Sequence, residues 1–224
     1  MEIFLDTAST TEIKAILPWG VISGLTTNQK IFSCEKGVNF NERVLEILKL
    51  VEGPVSIEVT RTTGTDQELL DEAREYACWG SNIVIKVPMW GDGKGLRITT
   101  KLKELGIKTN LTCLMSTSQM LLAAKAGATY ASLFFNRVRD SKEDPCRVIT
   151  EARRIIEDSR SPTKIIVGSI RRPEDVTEAA VAGAHIVTVP YKILKQMPYH
   201  QKTEETIREF DTAWLEFKKN EKCR

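Results

Sequence analysis

A lysine lies inside an apolar run, Asn82-Ile83-Val84-Ile85-Lys86-Val87-Pro88-Met89. The run is β-rich and bounded by Gly80-Ser81 and Pro88, so it reads as a buried strand. A buried ammonium is costly, and such a group tends to shed its proton. A neutral lysine amine is a nucleophile toward carbonyls and forms Schiff bases. The resulting iminium is an electron sink for breaking the neighbouring carbon–carbon bond. The plainer alternative is a strand-end lysine that snorkels to solvent or pairs with a carboxylate.

Other polar groups fall at the ends of apolar runs. Asp6-Thr7 ends the first, Thr26-Thr27-Asn28 the second, and Glu58 with Thr60 the third. Asn110 and Thr112 lie in the fifth, Asn136-Arg137 follows the sixth, and Ser169 with Arg171-Arg172 ends the seventh. Carbinolamine dehydration and retro-aldol cleavage both need proton transfer. Asp6 and Glu58 can divide that work, with a water held by Thr112. Arg137, Ser169 and Arg171 are the residue types of a phosphate clamp.

Each position also has a structural reading. Asp6 could cap a helix starting near Ser9. Glu58 could simply pair with Lys86, and Thr112 could be strand filling. Asn28 could shape a turn, and Arg137 could bond Asp140. What weighs for chemistry is coincidence: seven runs each set a polar or charged group at the same end, and one of them is the lysine.

The elements that must position these groups are regular. Apolar runs occur at Ile3–Leu5, Val21–Leu25, Val55–Val59, Ile83–Val87, Thr109–Cys113, Tyr130–Phe134, Lys164–Val167 and His185–Val189. Helical patterns lie between them, at Thr11–Leu17, Asn41–Val51, Asp66–Ala77, Leu96–Leu105, Ser118–Ala126, Asp144–Asp158 and Pro173–Ala182. Eight alternating units predict an α/β fold, a single (β/α)8 TIM barrel, with its site at the C-terminal ends of the strands. Residues 1–200 are expected to form the barrel, and 201–224 an additional C-terminal helix and tail. Within that helix Ile207, Phe210, Trp214 and Phe217 share one stripe, which can cap the barrel or dock on a neighbour.

Composition excludes several classes. The chain has 224 residues, 42% hydrophobic and 28% charged, with 32 basic and 30 acidic residues and a net charge of +2. No basic stretch points to nucleic acid, and no apolar run approaches a membrane span. Residues 1–6 carry acids and a short apolar run rather than a secretory leader. A cytoplasmic protein is therefore expected, with Cys34, Cys78, Cys113, Cys146 and Cys223 as reduced thiols. His185 and His200 form no metal pattern. Gly91-Asp92-Gly93-Lys94-Gly95 lacks the spacing of a nucleotide loop and reads as a mobile loop.

Together these residues resemble the small transaldolase family, which includes short transaldolases and fructose-6-phosphate aldolase. The carrying segments are Phe4-Leu5-Asp6-Thr7, Gly24-Leu25-Thr26-Thr27-Asn28, Ile83 to Pro88, Asn110-Leu111-Thr112, Ala126-Gly127-Ala128 with the following strand to Arg137, and Gly168-Ser169-Ile170-Arg171. Their order and spacing run through nearly the whole chain. The resemblance implies that Lys86 is the Schiff-base lysine and Asp6 the general acid/base. It implies that Glu58 and Thr112 hold the catalytic water, and that Asn28 and Ser132, with Thr27 beside them, orient substrate hydroxyls. It assigns Arg137, Ser169 and Arg171 to the phosphate, and implies no metal or organic cofactor and a ring-shaped homo-oligomer, with a decamer as one form of it.

Within the family, glutamate at 58 and phenylalanine at 134 are the transaldolase-like pairing, where the aldolases carry glutamine and tyrosine. Phe134 cannot donate a hydrogen bond to a water, which favours transfer over release. One departure stands out: Gln29-Lys30 replaces the usual Pro-Ser after Asn28. The reading is a transaldolase moving a dihydroxyacetone unit between sugar phosphates, its small-molecule partners. The alternatives are cleavage of the fructose-6-phosphate aldolase type, a transaldolase of specialised sugar metabolism, and a non-catalytic sugar-phosphate-binding barrel.

Overall fold

The computed structural model describes residues 1–222; Cys223 and Arg224 lie outside the described residues. Eight parallel strands close into a barrel in sequence order, with the last paired to the first. They are β1 (Glu2–Asp6), β2 (Gly24–Thr26), β3 (Val55–Glu58), β4 (Ile83–Pro88), β5 (Thr109–Leu114), β6 (Tyr130–Phe134), β7 (Lys164–Gly168) and β8 (Ile186–Pro190). This is the (β/α)8 TIM barrel that the alternation of runs predicts.

Strand periodicity explains how an apolar barrel acquires a polar mouth. Residues two apart on a strand share a face. Phe4, Val84, Tyr130, Ile166 and Ile186 pack together as a buried cluster low in the barrel. Two residues further along the same strands stand Asp6, Lys86, Ser132, Gly168 and Thr188. The residues between them, such as Leu5, Ile85, Val87, Leu133 and Val187, face the helices and belong to the larger apolar core. Within a barrel, alternate strands fill one layer. The registers place Thr26, Lys86, Ser132 and Thr188 in one such layer, with Asp6, Glu58, Thr112 and Gly168 in the next one toward the mouth.

Two glycines permit close approaches. A Cβ at Gly24 would meet the Phe4 ring and the Pro54 carbonyl at 2.7 Å. At Gly95 it would meet the Pro88 carbonyl at 2.2 Å. Gly95 therefore lets the helix Lys94–Glu104 pack onto the end of β4. That helix starts within the glycine-dense segment expected to be a loop.

The second strand also differs from expectation. Val21 is 45% exposed and lies on the approach, while the strand itself is Gly24–Thr26. An apolar residue on a loop misplaced the run toward its N-terminal side. Short helices that sequence periodicity is too short to reveal follow β2 (Gln29–Phe32), β6 (Phe135–Asp140) and β8 (Tyr191–Leu194). The final helix, Gln201–Lys222, falls within the segment expected to hold it and is exposed along almost its whole length. Among the described residues, no helix is long and apolar enough to cross a membrane.

Candidate active site

At the C-terminal mouth of the barrel lies a cavity of about 400 Å³. Asp6, Lys86, Thr112 and Ser132 line its depth, with Phe134 on one wall. Asn28, Arg137, Ser169 and Arg171 line its rim. These nine sequence-predicted residues come from six of the eight strands and their following loops, so only barrel closure brings them together.

Lys86 is 5% exposed. Its Nζ donates to the Thr27 carbonyl at 2.9 Å and lies 3.2 Å from Glu58 Oε2. The pairing with a carboxylate that the sequence left open is thus present. An ammonium has three protons, and two directions are taken by Thr27 and Glu58. Lys86 also lines the cavity.

Asp6 is not a helix cap. Ser9 occupies the N-cap of the helix Thr10–Ile16, and Asp6 Oδ1 instead accepts from Thr26 Oγ1 at 2.7 Å. Burial pushes the Asp6 carboxyl above its ordinary value. The Lys86 charge and the Thr26 hydroxyl oppose that shift, and the Glu58 charge adds to it. A carboxylate made more basic in this way is better suited to take a proton from a substrate hydroxyl and to return it.

Thr112 sits where β5 and β6 lose register between Leu111 and Leu114. The next residue, Cys113, has φ +63°, a conformation rare for a side-chain-bearing residue and common beside functional positions. The Thr112 hydroxyl is fully buried and has no hydrogen-bond partner in the protein. An orphaned hydroxyl on a cavity wall suits a water or a substrate oxygen. Burial raises the Cys113 thiol, which argues against that cysteine as a nucleophile.

Ser132 donates to Asn110 Oδ1 at 2.7 Å, and Asn110 Nδ2 donates to Ser56 Oγ at 3.1 Å. Asn110, two residues before Thr112 on the same strand, therefore sits beneath the Lys86 layer as a buried bridge rather than at the strand end. Asn28 caps the helix Gln29–Phe32 by accepting from the Ile31 N–H at 2.9 Å. Its turn-shaping role is real, and its amide group still lines the cavity.

The rim departs from expectation in one pairing. Asp140 is held by Arg171, at 2.9 and 2.6 Å, and not by Arg137. Arg137 has no carboxylate within 4 Å among the described residues. The Arg171 bond holds the Asp140 carboxyl below its ordinary value, and the Arg137 charge adds to the effect. Ser169 has φ +59°, and Asn136 Nδ2 holds its carbonyl at 2.8 Å.

Beneath this loop, fully buried Asp175 accepts from the backbone N–H groups of Arg171 and Arg172 and from Asn136, Arg139 and the Arg172 side chain. Burial alone would raise this carboxyl. The hydrogen bonds outweigh it and hold Asp175 well below the usual carboxylate range.

Two predicted residues touch Lys86 but do not line the main cavity. Glu58 and Thr27 line a neighbouring cavity of about 360 Å³, which shares Asn28 with the first. The Thr27 hydroxyl donates to the Ser56 carbonyl at 3.0 Å, so Thr27 reaches the site through its carbonyl, as the acceptor for Lys86. Thr26 and Thr188 line the main cavity and bond to each other. Thr26 was read among the strand-end groups without a role, and Thr188 was missed, although counting by twos from Ile186 places it on the inner face. Among the described residues no group of three or more His, Cys, Asp or Glu side chains is placed to hold a metal.

The family model described as transaldolase/fructose-6-phosphate aldolase matches residues 3–223. The chain belongs to that family. Its relatives include proteins named "Probable transaldolase" from Carboxydothermus hydrogenoformans, 45% identical over 98% of this chain and 100% of that one, and from Alkaliphilus metalliredigens, 41% identical over 96% and 98%. A third, from Thermoplasma acidophilum, is 43% identical over 96% and 95%. A mandelate oxidase mutant with an FMN adduct superimposes with a TM-score of 0.59 at 15% identity, covering 85% of this chain and 64% of that one. That likeness concerns the barrel alone.

Proposed function

We propose that this chain is a transaldolase that moves a dihydroxyacetone unit from a ketose phosphate to an aldose phosphate through a Schiff base on Lys86. The observation that carries the reading is the buried amine at the depth of a cavity whose rim bears Arg137, Ser169 and Arg171. The name carried by the relatives supports it.

The Lys86 amine gives up a proton, for which Glu58 at 3.2 Å is the nearest carboxylate, and adds to the ketone carbon. Loss of water from the carbinolamine forms the iminium. Asp6 takes the proton from the hydroxyl on the far side of the scissile bond. The electrons of that bond pass to the iminium nitrogen, an enamine remains on Lys86, and an aldose leaves. The enamine then attacks the acceptor aldehyde, Asp6 returns the proton, and water frees the new ketose. The unpartnered Thr112 hydroxyl is a site for the water that these steps release and consume. A cytoplasmic location is part of this reading.

Incubation with fructose 6-phosphate and borohydride, followed by intact mass, tests the reading. A reduced three-carbon adduct mapping to Lys86 is expected. A folded protein that gives no adduct with any of a panel of ketose phosphates would refute it.

Phe134 lines the cavity and offers no donor to a water that would protonate the enamine. Phe134→Tyr is therefore expected to raise release of free dihydroxyacetone relative to transfer. An unchanged product ratio would count against this role.

The exposed stripe on the last helix supports a homo-oligomer, in which the helix docks on a neighbouring copy. Phe210 is 69% and Trp214 58% exposed, and Trp214 stacks on Phe217 at 5.4 Å. An apolar stripe of this kind marks an interaction surface. Light scattering is expected to give a multimer for the wild type and a smaller species for Phe210→Glu/Trp214→Glu. A monomeric wild type would end the proposal.

A further inference from the structure

Four cationic side chains line the main cavity: Lys30, Lys86, Arg137 and Arg171. Two are already committed. Lys86 faces Glu58, and Arg171 is bonded twice to Asp140. Among the described residues neither Lys30 nor Arg137 has a carboxylate within 4 Å. A sugar phosphate carries between one and a half and two negative charges at neutral pH, by analogy with about −1.5 to −2 for a phosphorylated side chain. Arg137 alone undercharges that ligand; Arg137 and Lys30 together match it.

Lys30 is also held where it can act. It lies on the short helix Gln29–Phe32, which Asn28 caps and whose Gln29 Nε2 donates to the Val59 carbonyl at 2.7 Å. The helix is thereby tied to the end of β3, with Lys30 on the cavity side. Cys34 and Ile31 from the same segment line the cavity beside it.

We propose that Lys30 is a specificity-determining residue that contacts the substrate's phosphate together with Arg137, selecting phosphorylated over neutral sugars. The identity of the sugar rests on the transaldolase reading, while the anion contact does not. A lysine supplies this as a strongly hydrated point charge on a long flexible stem, which suits a rim position that must reach a mobile group.

Calorimetric titration of the full-length protein with inorganic phosphate at low salt tests the contact without turnover. Wild type is expected to bind phosphate, Lys30→Met to bind about tenfold more weakly, and Lys30→Arg to retain most of the affinity, as loss of a charge-assisted hydrogen bond implies. Wild-type affinity in Lys30→Met, or no phosphate binding to the wild type, would overturn the proposal.

A second measurement excludes a merely structural role. The ratio of kcat/KM for fructose 6-phosphate to that for fructose is expected to fall about tenfold in Lys30→Met, by the same reasoning. Equal losses with both sugars would show that Lys30 only supports the Asn28 turn. A protein that binds phosphate through Lys30 but turns over no ketose phosphate would sink the transaldolase reading and leave this one standing.

Discussion

Replacing Lys86 with methionine is expected to remove the borohydride-trapped adduct and to lower kcat by on the order of 10⁴-fold or more, as loss of a covalent nucleophile does. The variant will also be less stable. Glu58 is 9% exposed and loses the ammonium that faces it at 3.2 Å. Removing one partner of a buried pair costs about 3–5 kcal/mol, on the order of 10 °C in Tm for a chain of this size. A lifeless variant would therefore be ambiguous by itself. Lys86→Met combined with Glu58→Gln removes both charges and is expected to recover most of the lost Tm while remaining inactive. Turnover near wild type in Lys86→Met would refute the mechanism. An inactive single variant whose double partner recovers both stability and activity would refute the role of Lys86 as nucleophile.

The second large effect is expected at Asp175. This carboxylate is fully buried and accepts five hydrogen bonds, from two backbone N–H groups and three side chains, all around the loop that carries Ser169 and Arg171. Asp175→Ala leaves Arg171 N, Arg172 N and Asn136 Nδ2 without that acceptor inside the protein, and a loss of about 3–5 kcal/mol follows. Ser169 holds φ +59°, a conformation that persists only where its surroundings enforce it. Affinity for inorganic phosphate should therefore fall together with Tm.

The effect at Asp175 carries a pH signature. Its carboxyl titrates below the unfolded value of about 3.9. The unfolded chain thus binds more protons near and below that pH, and the stabilisation is complete above it and lost as pH falls through the folded value. The Tm difference between wild type and Asp175→Asn should be largest near pH 7 and shrink toward pH 3. A difference that stays constant across that range would show that Asp175 acts by shape rather than by charge.

Several elements were legible because their signals are local. β4 was marked by its β-branched run, and the lysine in it by its apolar neighbours. The helices Asp66–Ala77 and Pro145–Asp158 were marked by periodicity, while their cap residues Thr65 and Asp144, which accept from the first turn, went unread. β2 was misplaced because Val21 is apolar yet exposed, and hydrophobicity reports burial only on average. Asp6 offered two readings, cap or mouth. Its backbone position is a property of the strand, but the partner of its side chain, Thr26, comes from the neighbouring strand.

What this sequence determined by itself is the order of elements and the types of group at each strand end, since both follow from chain-local periodicity and chemistry. What only the tertiary structure decided is which of those groups meet. Closure of β8 on β1 and the stagger between strands put Thr26 and Thr188 on the cavity, left Asn110 beneath the Lys86 layer, and set Thr27 and the Lys86 partner Glu58 on a second cavity. The same packing gave Asp140 to Arg171 and left Arg137 and Lys30 as the uncommitted charges of the rim. A side chain's partner is set by register and by distances between segments far apart in sequence, and no spacing along one chain encodes those.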